Sequence, residues 1–275
     1  MKTWGTATLI LFLATLARAQ NALPPSKPYP LPDGVQHTIA NLAERSDVLI
    51  LGEMHGTQET PAIAAALLEP LTKQGYGILA LEVPADQQAP LIAWATGKSS
   101  KIPWFYSAPS EDGRGSAEML ALIRTALSPP FRWRLICFDE SIGNAIQENS
   151  FVNRDKQMAN IFAAQRREIG GQAKTVAICG NLHARTANYY PPDSVQSAYF
   201  PSFAANLQTG HPTWRINSIN LNPHVGEFYN GGKINKMSDK PIDEPIAHVL
   251  ANRDWNLDLD FPKATAGNFS CYPEQ

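Results

Sequence analysis

The chain has 275 residues, 44% of them hydrophobic, with 23 basic against 25 acidic side chains and a formal net charge of −2. That length suits one sizeable α/β domain and does not demand a second. The balance of charge excludes the basic footprint of a nucleic-acid or anionic-membrane binder, so the expected partner is a small molecule or a peptide.

In chain order, residues 1–19 read as a secretory signal: Lys2, the apolar run ATLILFLATLA, then Ala17, Arg18 and Ala19 before Gln20. The apolar run is short of the roughly 20 residues that span a bilayer. The competing reading is an uncleaved anchor. Cleavage would remove Lys2 and Arg18 and take the net charge to −4. The expected location is periplasmic or secreted, with membrane contact only through the signal before cleavage. Residues 20–34, QNALPPSKPYPLPDG, are Pro-rich and read as an extended leader, which leaves 35–275 as a single domain.

DVLILGE (47–53) is a short apolar strand, and ETPAIAAALLEPLTKQG (59–75) a helix that stops at Gly75. GILALEVP (77–84) is the second strand; ADQQAPLIAWATG (85–97) is helical, bent or restarted at Pro90. Residues 98–115 form a loop. SAEMLALIRTAL (116–127) is an amphipathic helix opened by Ser116 and closed before Pro129 and Pro130. WRLICFDE (133–140) is a strand, NRDKQMANIFAAQRREIG (153–170) a helix and AKTVAICGN (173–181) a strand. TWRINSINLN (213–222) alternates apolar and polar residues, the pattern of an edge or half-exposed strand. The tail, 231–275, is rich in Asp, Asn, Pro and Gly, with NLDLDF as one last strand. Cys137 and Cys179 lie in apolar runs and read as buried hydrophobes; with Cys271 the count is odd, and no C-x-x-C spacing occurs.

Apolar strands alternating with helices predict an α/β fold: a mainly parallel β-sheet flanked by helices on both faces. Ligands of such sheets bind outside the carboxyl ends of the strands. There the four strands deliver Glu53 and His55, Glu82, Asp139 and Glu140, and Asn181 and His183. Residues i and i+2 of an extended chain face the same way, which predicts that Glu53 and His55 share a target, as do Asn181 and His183. Glu59 opens a helix, so it reads either as a carboxylate favoured by the helix N-terminus or as part of the site. Arg154 sits in a first helical turn, where the dipole disfavours a cation. It pairs with Asp155 or another local acid, or it holds a substrate anion or the carboxylates of the site.

Four segments, LGEMHGTQE, LALEVP, NRDKQMA and GNLHAR in that order, resemble motifs of one superfamily. It contains the erythromycin-esterase-like proteins, the ChaN-type haem-uptake proteins and the Tiki-type peptidases. GEMHGTQE is similar to the esterase branch with one spacer fewer between Glu and His, while NRDKQMA followed by GNLHAR looks more like the ChaN branch. The likeness spans about residues 47–190. It implies an α/β fold with the site at the strand ends and Glu53, His55, Glu82, Arg154 and His183 as functional positions. The branches include ester hydrolysis without a required metal, metal-dependent peptide cleavage and haem binding. The missing spacer argues against carrying the macrolide-esterase role over directly.

The leading expectation is a secreted esterase- or metallopeptidase-like hydrolase in which His55 is a general base oriented by Glu53 or Glu82. His183 then acts as a second acid/base or oxyanion stabiliser, and Arg154 adds positive potential. No G-x-S-x-G elbow supports a serine triad. A metal version places a divalent ion on Glu53, His55, Glu82 and His183. A binding version without catalysis has Tyr189 or Tyr190 ligate haem iron, non-covalently because C-x-x-C-H is absent. A degenerate structural member is the third class.

Overall fold

The computed structural model describes residues 23–107, 112–140, 151–170, 172–251 and 253–269. The signal sequence and Cys271 lie outside the described residues. Six α-helices appear: α1 (Asp33–Glu44), α2 (Glu59–Lys73), α3 (Gln88–Ala95), α4 (Ala117–Leu127), α5 (Phe151–Glu168) and α6 (Phe203–Gly210). The strands are β1 (Val48–Glu53), β2 (Tyr76–Pro84), β3 (Arg134–Asp139), β4 (Lys174–Gly180), β5 (Ile216–Asn230), β6 (Lys233–Ser238), β7 (Ile246–Val249) and β8 (Leu257–Ala264).

All eight strands join one sheet in the order β3-β2-β4-β1-β5-β8-β7, with β6 paired to β5. Every pairing from β3 across to β8 is parallel; only β5–β6 and β7–β8 are antiparallel. Parallel strands buried on both faces must be apolar at every position, and β1 is buried at all six of its residues. Alternate side chains feed two cores. Leu49, Leu51, Leu79 and Leu81 pack with α1 to α4 on one face, and Val48, Ile50, Ile78 and Ala80 pack with α5 and α6 on the other. The expected helices form almost where the pattern put them. Ser116 caps α4 by accepting from Met119 N–H at 3.2 Å. Pro90 falls in the first turn of α3, behind a short 3₁₀ segment (Ala85–Gln87), and so restarts the helix rather than breaking it.

The Pro-rich leader has no helix or strand from 23 to 32, but it is docked. Tyr29 N–H donates to Ala62 O at 2.9 Å, and the Tyr29 ring meets Phe261 edge-on.

One reading of the sequence is corrected. TWRINSINLN is not an edge strand: β5 lies between β1 and β8, and residues 218–221 are buried. Its polar alternation survives burial because the neighbours supply partners. Asn217 donates to Ser46 Oγ (2.9 Å), Asn220 to Asp258 Oδ1 (3.1 Å) and Asn222 to Asp260 Oδ1 (2.6 Å). β5 also runs eight residues further than expected, into a hairpin with β6 that turns at Gly231 and Gly232, both at positive φ. This extension packs on the turn after β1. Tyr229 N–H donates to Gly56 O at 3.0 Å, and a Cβ on Gly56 (φ +76°) would fall 2.0 Å from Tyr229 O, so glycine is required there.

Candidate active site

Strands β3, β2, β4 and β1 are adjacent and parallel, so their carboxyl ends form one continuous rim. A cleft of about 600 Å³ opens on that rim. Glu53, His55, Glu82, Arg154 and His183, the five positions singled out in the sequence, all line it. The backbone arranges this by local irregularities. β2 shifts register against β3 between Leu81 and Pro84, which re-aims Glu82 at the moment the strand ends. Glu82 Oε2 then accepts the Gly180 N–H of β4 at 2.8 Å. A Cβ on Gly180 would lie 3.0 Å from His55 Nε2 and 3.3 Å from His183 Cδ2, so a side chain there would press on both rings. The same numbers bring both imidazoles around one point.

The route by which His183 arrives differs from the expectation. Residues 181–184 are a helical turn, with His183 N–H and Ala184 N–H both donating to Gly180 O, not extended chain. Asn181 also lines the cleft, and its carbonyl accepts from Trp255 Nε1 at 3.1 Å.

Each histidine has a carboxylate at Nδ1. His55 Nδ1 is 2.9 Å from Glu53 Oε1, and His183 Nδ1 is 2.5 Å from Asp155 Oδ1. Each Nε2 lies 3.7 Å from a different oxygen of Glu82. The two rings are nevertheless in different states. Arg154 Nη1 is 3.2 Å from His183 Nε2, and a guanidinium can only donate. That nitrogen is therefore an acceptor, and the His183 proton sits on Nδ1 facing Asp155. Among the described residues no arginine occupies His55 Nε2, and His55 lines the cleft. Burial works against protonation of His55, but the bond to Glu53 and the charge of Glu82 outweigh it and raise its pKa above 6.5.

Two guanidiniums organise the carboxylates. Arg154 forks onto Asp139, with Nε to Oδ1 at 3.0 Å and Nη2 to Oδ2 at 2.8 Å, and gives Nη2 to Glu82 Oε1 at 2.7 Å. Those carboxylates explain a cation in the first turn of α5, and Asp155, its sequence neighbour, turns the other way to His183. Arg114 donates Nη1 to Asp139 Oδ2 (2.6 Å), to Glu82 Oε1 (3.3 Å) and to the Glu82 carbonyl (3.0 Å), and Nε to Asp112 Oδ2 (2.6 Å). Burial would raise the Glu82 pKa; its neighbours His183, Arg154, Arg114 and His55 instead hold it well below the usual carboxylate range. Burial pushes the Asp155 carboxyl up, against the pull of His183.

Sequence reasoning missed Arg114, Asp112 and the role of Asp155. Consecutive helical residues point in different directions, so Asp155 beside Arg154 had a geometric reason to serve another partner. Arg114, between Gly113 and Gly115 in a loop without periodicity, carried no such signal. Glu59 belongs elsewhere: its Oε2 accepts Thr265 N–H at 2.8 Å, outside the cleft.

The donors do not suit a metal. Among the described residues no group of three His, Cys, Asp or Glu side chains is arranged to hold an ion. The physical reason lies in Glu82, whose oxygens already accept from two guanidiniums and a backbone N–H, so that fixed positive charge stands where an ion would bind. The expected set Glu53, His55, Glu82 and His183 is corrected accordingly. Tyr189 and Tyr190 do not line the cleft: Tyr189 is half exposed and Tyr190 lies under Arg185.

No protein-family model matches the chain, and no curated protein matches it in sequence. Solved structures share the fold. A succinoglycan biosynthesis protein superposes with a TM-score of 0.66 at 10% identity, over 91% of this chain and 96% of that one. A histidine mutant of erythromycin esterase EreC, in its open conformation, superposes with a TM-score of 0.56 at 11% identity, over 86% and 80%. A Bacillus cereus protein does so with a TM-score of 0.53 at 13% identity, over 92% and 98%. The chain thus shares its fold with these structures, an erythromycin esterase among them.

Proposed function

We propose that the protein is an exported hydrolase in which His55 activates water for attack on an acyl carbon. One observation carries this reading: an imidazole fixed at Nδ1 by Glu53 presents a free Nε2 to a cleft, 3.7 Å from an ionised Glu82. A water on that nitrogen gives up its proton as its oxygen bonds to the carbonyl carbon. Glu82 stabilises the imidazolium so formed. His55 then returns the proton to the leaving oxygen or nitrogen as its bond to carbon breaks. Arg154, held on Asp139 and Glu82, lends its fixed positive charge to the same cleft wall. The shared fold with an erythromycin esterase supports this reading at the level of architecture.

The test is hydrolysis of p-nitrophenyl esters and a mixed peptide pool, with a chelator present throughout. The base must be unprotonated, so kcat/KM is expected to fall as pH drops through a His55 pKa above 6.5. Glu53→Gln removes a charge that raises that pKa, so the acidic limb moves to lower pH. A rate independent of pH from about 5 to 8, or a limb unmoved in Glu53→Gln, refutes the role given to His55.

Export rests on the charged, apolar and small-residue sequence of 1–19. Sequencing the purified mature chain from its N-terminus is expected to begin at Gln20; a retained Met1 contradicts it.

A further inference from the structure

We infer that the cleft takes a substrate carrying a positive charge, such as a protonated amine. This rests on the hydrolase reading and adds the class of its substrate. The argument is one of charge at the cleft wall. Among the described residues Glu53, Glu82, Asp112, Asp139 and Glu140 line it, five carboxylates. Against them stand, among the described residues, Arg114 and Arg154 and no lysine. Even with His55 and His183 both protonated, one negative charge is left over; with both neutral, three are. Asp155, buried behind His183, adds another.

The guanidiniums are also largely committed. Arg154 uses Nε, Nη1 and Nη2 on Asp139, His183 and Glu82, and Arg114 uses Nε and Nη1 on Asp112, Asp139 and Glu82. A substrate carboxylate or phosphate would have to compete with these carboxylates and enter a field of its own sign. The alternative that Arg154 holds an anionic substrate group is therefore not supported. Met54, Phe105, Leu182 and Tyr199 line the same cleft and give the hydrocarbon part of an amine an apolar wall. A cleft of one sign raises the local concentration of the opposite sign, and low-dielectric walls sharpen the effect.

Three p-nitrophenyl esters of near-equal size test this: 6-aminohexanoate (cationic), heptanoate (neutral) and hemiadipate (anionic). The cationic ester is expected to exceed the neutral one in kcat/KM by at least about tenfold, with the anionic one slowest, and the preference shrinks as salt is added. Glu140→Lys is expected to cut the ratio of cationic to neutral ester kcat/KM. Equilibrium titration of the three corresponding amides reads the same preference without turnover. If none of the esters is cleaved, the hydrolase reading fails, and the amide affinities still decide the charge preference. Neutral or anionic amides binding as tightly as the cationic one, or no saturable binding of the cationic amide, overturns the inference.

Discussion

His55→Ala is expected to lower kcat/KM on a model ester by about 10²–10⁴-fold, the usual contribution of a positioned base, without a matching loss of stability. The imidazole is held at the cleft wall with its side chain 15% exposed. Its removal leaves Glu53 facing the cleft, where water can replace the lost partner. His183→Ala should behave differently. Asp155 is fully buried, and with His183 gone its Oδ1 loses the ring nitrogen that lies against it. The pKa of Asp155, already raised by burial, would rise further and the group would neutralise. The His183 variant therefore loses stability as well as rate, whereas His55→Ala loses rate alone. Circular dichroism melts beside ester kinetics separate the two. Wild-type rates in His55→Ala, or a larger drop in melting temperature there than in His183→Ala, contradict this division of roles.

The residues that made this site legible in the sequence were those at the ends of apolar runs. Four strands buried on both faces are almost uninterrupted hydrophobic text, so a Glu or His at their exits stands out against it. That is why Glu53, His55, Glu82 and His183 could be grouped before their geometry was known, and why the parallel sheet and its two helical layers followed from the same pattern. The fold departed from expectation where polar residues are paired inside the sheet. Asn217, Asn220 and Asn222 on β5 mimic a solvent face, and only the positions of Ser46, Asp258 and Asp260 reveal otherwise. The loop arginine was hidden for a related reason. Arg114 reaches Glu82, 32 residues away, from a segment with no period. The split of function between two similar His–carboxylate pairs was hidden too, since it depends on which ring an arginine touches.

Glu82→Ala is expected to destabilise the fold by about 3–5 kcal/mol, the cost typical of removing one partner from a buried ionic cluster. Such a loss is a large part of the roughly 5–15 kcal/mol that holds a domain together. Glu82 is 4% exposed, and it joins both arginines, Gly180 N–H and the Nε2 atoms of both histidines. Without it, Arg114 and Arg154 share Asp139 as their common counter-charge. Glu82→Gln should not rescue the loss. Both carboxylate oxygens only accept, so an amide placed either way sets its NH₂ against a donor: an arginine on one side, Gly180 N–H on the other. The pH dependence has a definite sign. The folded pKa of Glu82 lies below its ordinary 4.5, so its contribution is fully present above 4.5 and is lost only as pH falls through the depressed folded value. Urea unfolding of wild type and Glu82→Gln should therefore differ by a constant amount from neutral pH down to about 4.5, then converge in stronger acid. A difference below about 1 kcal/mol at neutral pH, the range of an exposed ion pair, would mean that the carboxylate is not the buried centre of this cluster. Curves that converge already between pH 7 and 5 would mean that its charge is not held by the arginines, and the stabilisation of the His55 imidazolium by Glu82 would fall with it.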